Sequence, residues 1–325
     1  MTKVRWGILS TAKIGMVKVV PAMKAGKYAH LAAIASRDVS RARQAAAESG
    51  IPKAYGTYTD LLEDPDIDAI YNPLPNHMHA EWTIAALAAG KHVLCEKPLA
   101  MTTAEAQQMA DQAKKSGRKL MEAFMYKLHP QWVQVQEILA SGKIGELVTV
   151  QSFFAYRNLD ASNIRNVLEY GGGAMMDIGC YCISLSRMLF GAEPDDAWGI
   201  IHRDKRWGVD ILSSGVLKFG DRHATFTCAT QVEPDQRVHV IGTEGRLLVE
   251  IPFNIPWDEP TRLFLTKGGE HPVSPNTELI TIPAANMYTI QGDLFSKAIL
   301  DKTEVPIPLS DALHNMAVIE TLLKF

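Results

Sequence analysis

Gly7-Ile8-Leu9-Ser10-Thr11-Ala12-Lys13-Ile14-Gly15 follows directly on an apolar run that begins at residue 4. A strand that passes at once through small residues into a helix meets the needs of a dinucleotide cradle. Those needs are a tight turn, backbone N–H groups able to approach a pyrophosphate, and a helix N-terminus aimed at the anion. Ser10 and Ala12 stand where the first two glycines of G-x-G-x-x-G usually sit, and only Gly15 remains of the three. Serine and alanine are the smallest replacements, so the approach stays open, although an ordinary strand–turn–helix fits the same pattern. The candidate turn therefore comprises Ser10, Thr11, Ala12, Lys13, Ile14 and Gly15, and its meaning depends on the surrounding chain.

Outward from it, short apolar runs at residues 4–9, 31–35, 69–72, 92–95 and 119–123 alternate with amphipathic stretches at 41–49, 80–89 and 104–116. That β-α-β-α rhythm predicts an α/β fold: a parallel Rossmann sheet covered by helices over residues 1–124, with ligands beyond the carboxyl ends of its strands. After about residue 125 the rhythm changes. A helix at 131–140, a strand at 147–156, a glycine-rich break and a helix at 174–190 precede extended segments at 211–219, 223–229, 236–241, 245–250 and 261–266; residues 309–325 read as a final helix. Strands that follow one another without helices predict a large, mostly antiparallel open sheet, in an α+β substrate-binding and oligomerisation domain over residues 125–325. An open sheet leaves an apolar face, so a homodimer or homotetramer through that sheet is expected.

The net charge of −3 arises from 33 basic and 36 acidic residues scattered along the 325, which leaves no electrostatic footprint for nucleic acid or an anionic membrane. No window approaches the roughly 18 apolar residues needed to span a bilayer. Cys95, Cys180, Cys182 and Cys228 are too few and too irregular for a disulfide framework, and the ten histidines show no metal-binding spacing. The opening MTKVRWGILS lacks the apolar core and cleavage site of a signal peptide. The reading is a cytoplasmic protein without a metal, acting on a small soluble ligand.

The second strand ends at Ser36-Arg37-Asp38, about 20 residues beyond the turn, with Arg41 one helical turn on. An acidic residue here takes a ribose 2′-hydroxyl, whereas a guanidinium suits a 2′-phosphate. Ser36, Arg37 and Arg41 thus favour NADP over NAD, with Asp38 either capping the next helix or contacting a 2′-hydroxyl instead.

At the end of another strand stands Cys95-Glu96-Lys97-Pro98. Together with the Gly7–Gly15 turn, Pro73-Leu74-Pro75-Asn76-His77-x-His79 and Gly171-Gly172-Gly173-x-x-x-Asp177-x-Gly179-x-Tyr181, it makes the whole chain resemble the glucose–fructose oxidoreductase/inositol dehydrogenase (Gfo/Idh/MocA) family. Glu122-Ala123-Phe124-Met125-Tyr126 and Tyr181, where many relatives carry histidine, look most like the branch of dimeric dihydrodiol dehydrogenases and NADP-dependent D-xylose dehydrogenases. The resemblance implies a dehydrogenase acting on a sugar or polyol CH–OH group, and a Pro98 peptide bond that is cis. It also implies that Pro73, Leu74, Pro75, Asn76, His79 and Glu96 join Lys97 around the cofactor. Tyr126, His129, Arg157 and Arg165 are candidates for the substrate side.

Hydride transfer from a carbinol requires the hydroxyl proton to leave with it, so a titratable group must reach that oxygen. Lys97 can stabilise the developing alkoxide and lower the pKa of a nearby phenol, leaving Tyr181 as proton donor or acceptor. Asp177 and Tyr181 are four residues apart on an expected helix, hence on one face, where Asp177 would orient a substrate hydroxyl or Lys97. Without the resemblance, Lys97 reads as a surface lysine and Tyr181 as part of an apolar helix stripe. A tightly cofactor-bound aldose–aldose oxidoreductase, a dihydrodiol dehydrogenase and a non-catalytic NADP or sugar sensor are the alternatives.

Overall fold

The computed structural model describes residues 2–268 and 276–325. Two compact units divide the chain, Met1–Met125 with Tyr288–Met316, and Tyr126–Met287 with Ala317–Phe325.

The first unit holds six parallel strands: β1 (Val4–Leu9), β2 (Ala29–Ala35), β3 (Lys53–Tyr55), β4 (Ala69–Asn72), β5 (His92–Cys95) and β6 (Leu120–Glu122). They lie in the order β3-β2-β1-β4-β5-β6, which reverses direction between β1 and β4. This is the Rossmann order, and the reversal opens a crevice at the carboxyl ends of the central strands. Strands buried on both faces read as continuous apolar runs, and β4, for example, has no exposed position. β3 and the helix Tyr58–Glu63 gave no such signal, because the strand has three residues, all half-buried.

Sequence patterning grouped residues 125–325 together, but Tyr288–Met316 belongs to the first unit. The helix Met287–Asp301 closes over the start of β1. Trp6 is fully buried, donates from Nε1 to Ser296 Oγ at 3.1 Å, and packs its ring 5.7 Å from Phe295. Asp293 accepts the Lys27 and Tyr28 amides at 2.8 and 3.0 Å, satisfying backbone donors just before β2. These partners are more than 260 residues apart, so local periodicity could not reveal them.

The second unit carries β7 (Leu147–Arg157), β8 (Asp196–Arg203), β9 (Asp210–Phe219), β10 (Arg222–Ala229), β11 (Gln231–Gly242), β12 (Gly245–Val249), β13 (Thr261–Lys267) and β14 (Glu278–Ile282). They form one sheet in the order β14-β13-β12-β11-β7-β10-β9-β8, antiparallel at every pairing except β10 with β7. Its inner face, including Val150, Phe154, Leu217, Phe226 and Val240, is buried. The helix Cys180–Phe190 packs there, with Phe190 stacked on Phe219 at 4.3 Å.

Candidate active site

In the first unit, the turn after β1 keeps the shape its missing glycine would have allowed. Ser10 has φ +74°, a left-handed conformation that costs a side-chain-bearing residue about 1–2 kcal/mol. Two bonds hold it there: Ser10 N donates to Ala35 O at 2.8 Å, and Ala12 N donates to Ser10 Oγ at 3.2 Å. The helical segment that follows is a π-turn at Gly15–Val19, and Ile14 before it makes no side-chain cap. The helix itself begins at Lys13, and Met16 N inside the π-turn already donates to Ala12 O at 3.0 Å, so any anion would meet the amides ahead of it. Gly15 faces the Tyr71 ring, 3.4 Å from where a Cβ would stand.

At the end of β2, Asp38 caps the helix Val39–Ser49, accepting Ser40 N at 2.9 Å and Arg41 N at 3.4 Å. The Ser40 hydroxyl bonds it as well, and this bond leads the causes that hold its carboxyl below the usual range. Arg37 and Arg41 are exposed beside it, with Arg37 against the Tyr58 phenol. Ser36 is buried and its Oγ accepts the Asp38 amide at 3.3 Å.

The β4 and β5 ends are joined through backbone and side chain. Glu96 N donates to Asn72 O at 3.0 Å, and the Tyr71 hydroxyl donates to Glu96 Oε1 at 2.7 Å. Burial, then the Glu96 charge, pushes the Tyr71 phenol well above its usual value; the same two causes raise Tyr288. Lys97 and Glu96 are half-buried, the Lys97–Pro98 peptide is cis, and Pro73 and Leu74 are buried while Pro75 and Asn76 are partly exposed. His79 has no exposed surface, and its ring faces two backbone carbonyls.

In the second unit, the stretch read as one helix from 174 to 190 begins with a π-turn at Met175–Gly179 before the α-helix Cys180–Phe190. Asp177 lies in the π-turn and Tyr181 just beyond it, and both meet one face of β7, through Tyr156 and Phe154. Asp177 Oδ2 accepts Tyr156 Oη at 2.6 Å and Arg165 Nε at 2.7 Å. Asp177 raises the Arg165 guanidinium above its ordinary value, and burial followed by Asp177 raises the Tyr156 phenol. Tyr181 is 5% exposed, within 5.4–5.7 Å of the Tyr126, Phe154 and Phe253 rings.

The glycines before Asp177 hold the Arg165 segment in place. Gly173 N donates to Arg165 O at 2.9 Å, and a Cβ on Gly172 would stand 2.5 Å from that carbonyl. Gly173 has φ +115° and makes room for Asp210, whose carboxylate accepts Met175 N at 2.7 Å and Ser213 Oγ at 2.8 Å.

Of the other substrate-side candidates, Tyr126 is buried, donating to Ser184 Oγ at 3.1 Å, and His129 is a buried cap whose Nδ1 accepts Gln131 N at 3.1 Å. Arg157 is exposed at the end of β7. Its neighbour Tyr156 is the one that meets Asp177, because adjacent strand residues face opposite sides. Sequence reasoning missed Tyr156, Tyr71, Tyr288 and Asp210; strand alternation was the signal available for Tyr156. Among the described residues no group of three or more His, Cys, Asp or Glu side chains is arranged to hold a metal ion.

A Rossmann sheet with a phosphate-type turn, a basic β2 end and a lysine at the β5 end defines a dinucleotide-dependent oxidoreductase. The chain belongs to the Gfo/Idh/MocA family: residues 4–124 match its oxidoreductase NAD-binding Rossmann model, and residues 132–248 match its C-terminal domain. It is 43% identical to an NADP-dependent D-xylose 1-dehydrogenase of Haloferax volcanii, over 77% of each chain. It is 33% identical to the trans-1,2-dihydrobenzene-1,2-diol dehydrogenase of Mus musculus, over 76% of this chain and 74% of that one. Both lie in the branch to which the motifs point. A 3-ketoreductase of Actinomadura kijaniata, solved with NADP and TDP-benzene, superposes with a TM-score of 0.93 at 28% identity, covering 99% of this chain and 98% of its own.

Proposed function

We propose that this oxidoreductase uses NADP to exchange a hydride with a sugar or polyol hydroxyl, an aldose C1 hydroxyl first among them, while Lys97 and Tyr181 handle the proton. The observation that carries the reading is the β2 end, where Asp38 is committed to its cap and Arg37 and Arg41 are exposed: this suits a 2′-phosphate. The NADP-linked D-xylose dehydrogenase and the ketoreductase solved with NADP support it.

The cofactor supplies the hydride chemistry when bound. The Thr11, Lys13, Ile14 and Gly15 amides would hold phosphate oxygens, and Glu96, fixed by Tyr71, would bond ribose hydroxyls. Tyr181 Oη takes the hydroxyl proton in oxidation and returns it in reduction; Lys97 Nζ stabilises charge on the reacting oxygen. Asp177, held by Arg165 and Tyr156, fixes the turn that leads into Tyr181, whose aromatic neighbours exclude water.

The proposal extends to assembly as a homodimer or homotetramer through the outer sheet face. Trp198, Ile200, Leu212 and Val216 expose apolar surface there, beside a concavity of about 440 Å³. Light scattering that finds a monomer at micromolar concentration contradicts it. All four cysteines are buried outside any disulfide, which suits a cytoplasmic location.

A panel of aldoses, polyols and dihydrodiols, assayed with NAD and NADP by absorbance of the reduced cofactor, tests the function. Turnover of an aldose or polyol with NADP ahead of NAD is expected. Turnover confined to dihydrodiols removes the sugar from the proposal, and cofactor binding with no turnover on any member favours a sensor.

A further inference from the structure

His79 opens the helix His79–Ala88 and has no exposed surface. Its Nδ1 lies 2.9 Å from the Pro98 carbonyl oxygen and its Nε2 lies 2.7 Å from that of Leu74. Leu74 belongs to the loop that leaves β4 and Pro98 to the loop that leaves β5, so one imidazole spans both. Glu96 N is held by Asn72 O at 3.0 Å, and Leu99 N by Glu122 Oε1 at 2.7 Å. Asn72 in turn donates from Nδ2 to Thr83 Oγ1 at 3.1 Å and accepts Leu74 N at 3.3 Å. Backbone groups of Glu96, Pro98 and Leu99 are thus pinned, and His79 supplies the middle pin.

We infer that His79 is a positioning residue for Lys97, setting the backbone from which the lysine reaches the reacting oxygen. The inference rests on the role proposed for Lys97. The ring faces two carbonyl oxygens and has no exposed surface, and burial, more than any neighbour, lowers its pKa to about 4. A neutral ring carries one N–H and donates to one of the two carbonyls in each tautomer. Replacing it with an apolar side chain removes that one donor and the ring that separates the two carbonyls, and the Lys97 loop loosens. A catalytic group displaced by about 1 Å loses on the order of 10²-fold in rate.

The test compares H79L in two backgrounds, wild type and K97M, in the full chain, on the aldose or polyol that the panel turns over. H79L is expected to lower kcat about 10–100-fold in wild type, to leave the KM for NADP within about twofold, and to add nothing in K97M. Equal losses in both backgrounds, or no loss in wild type while K97M is impaired, overturn the inference alone. A K97M enzyme as fast as wild type removes the proposed role of Lys97 and this inference with it. H79A, which removes the donor without adding bulk, covers the case in which H79L does not fold. Hydrogen exchange on the nucleotide-free H79A protein is expected to speed the Glu96 and Leu99 amides about tenfold or more, with the amides of β5 unchanged. Unchanged exchange at both overturns the inference without reference to activity.

Discussion

The turn after β1 and the turn before Tyr181 both pass into a π-segment, at Gly15–Val19 and Met175–Gly179, yet they treat charge in opposite ways. Around the first, Asp38 is occupied by a helix cap, Glu96 is held by the Tyr71 hydroxyl, and Arg37 and Arg41 are exposed. Around the second, the charges are matched within the unit: Asp177 with Arg165 and Tyr156, and Asp210 with Met175 N and Ser213. The first region is prepared to receive an anion. The second suits an uncharged, hydroxyl-bearing partner, because a phosphorylated substrate would have to compete with Asp177 for Arg165.

The largest expected effect concerns the lysine at the edge of the first region. K97M is expected to lower kcat/KM by about 10³–10⁴, the range for removing a charge stabiliser and proton partner together, with unchanged far-ultraviolet circular dichroism. Steady-state kinetics and NADP titration by fluorescence separate this from lost binding.

Next in size is the double variant R37A/R41A. Its KM for NADP is expected to rise about 10–100-fold, from 1.5–3 kcal/mol of charge-assisted bonding, while the KM for NAD and the Tm stay put. D177A should behave in the contrary manner, leaving NADP affinity alone and lowering stability. Arg165 is 41% exposed, so the cost is held to about 1–2 kcal/mol, a Tm drop of about 2–6 °C by calorimetry. If R37A/R41A loses stability instead of NADP, or D177A loses NADP instead of stability, the contrast between the two regions fails.

Much of this contrast was legible in the residues before any coordinates. The parallel sheet was readable because buried strands are apolar runs, and the family was readable because the motifs around Lys97, Asp177 and Tyr181 stand in fixed order. Three things were not. The π-turn at Met175–Gly179 leaves no mark in hydrophobic periodicity, and Tyr156 and Arg165, the partners of Asp177, come from segments 21 and 12 residues away. Met287–Asp301 belongs with β1 through Trp6 and Ser296, a pairing no local window contains. His79 was placed beside the cofactor by the resemblance alone, and no spacing in the sequence shows that its ring faces the Leu74 and Pro98 carbonyls.

The smallest expected effect separates the two carboxylates by pH. Hydrogen bonds from Ser40 hold Asp38 below its ordinary value, whereas burial holds Asp210 above its ordinary 3.8. A carboxyl raised in the folded chain contributes stability that is whole below pH 3.8 and is lost as pH rises through the raised value. D210N has no such proton to lose. Its Tm should therefore gain on wild type by about 1–2 °C as pH rises above that window, and a constant difference across pH counts against the buried-acid reading.

The central claim is that Lys97 and Tyr181 manage one proton as a unit, and a double-mutant cycle on kcat/KM tests it most directly. K97M, Y181F and K97M/Y181F are expected to lose activity to nearly the same extent, because removing either member already disables the pair. Losses that multiply in the double variant, or a Y181F enzyme as fast as wild type, would contradict it.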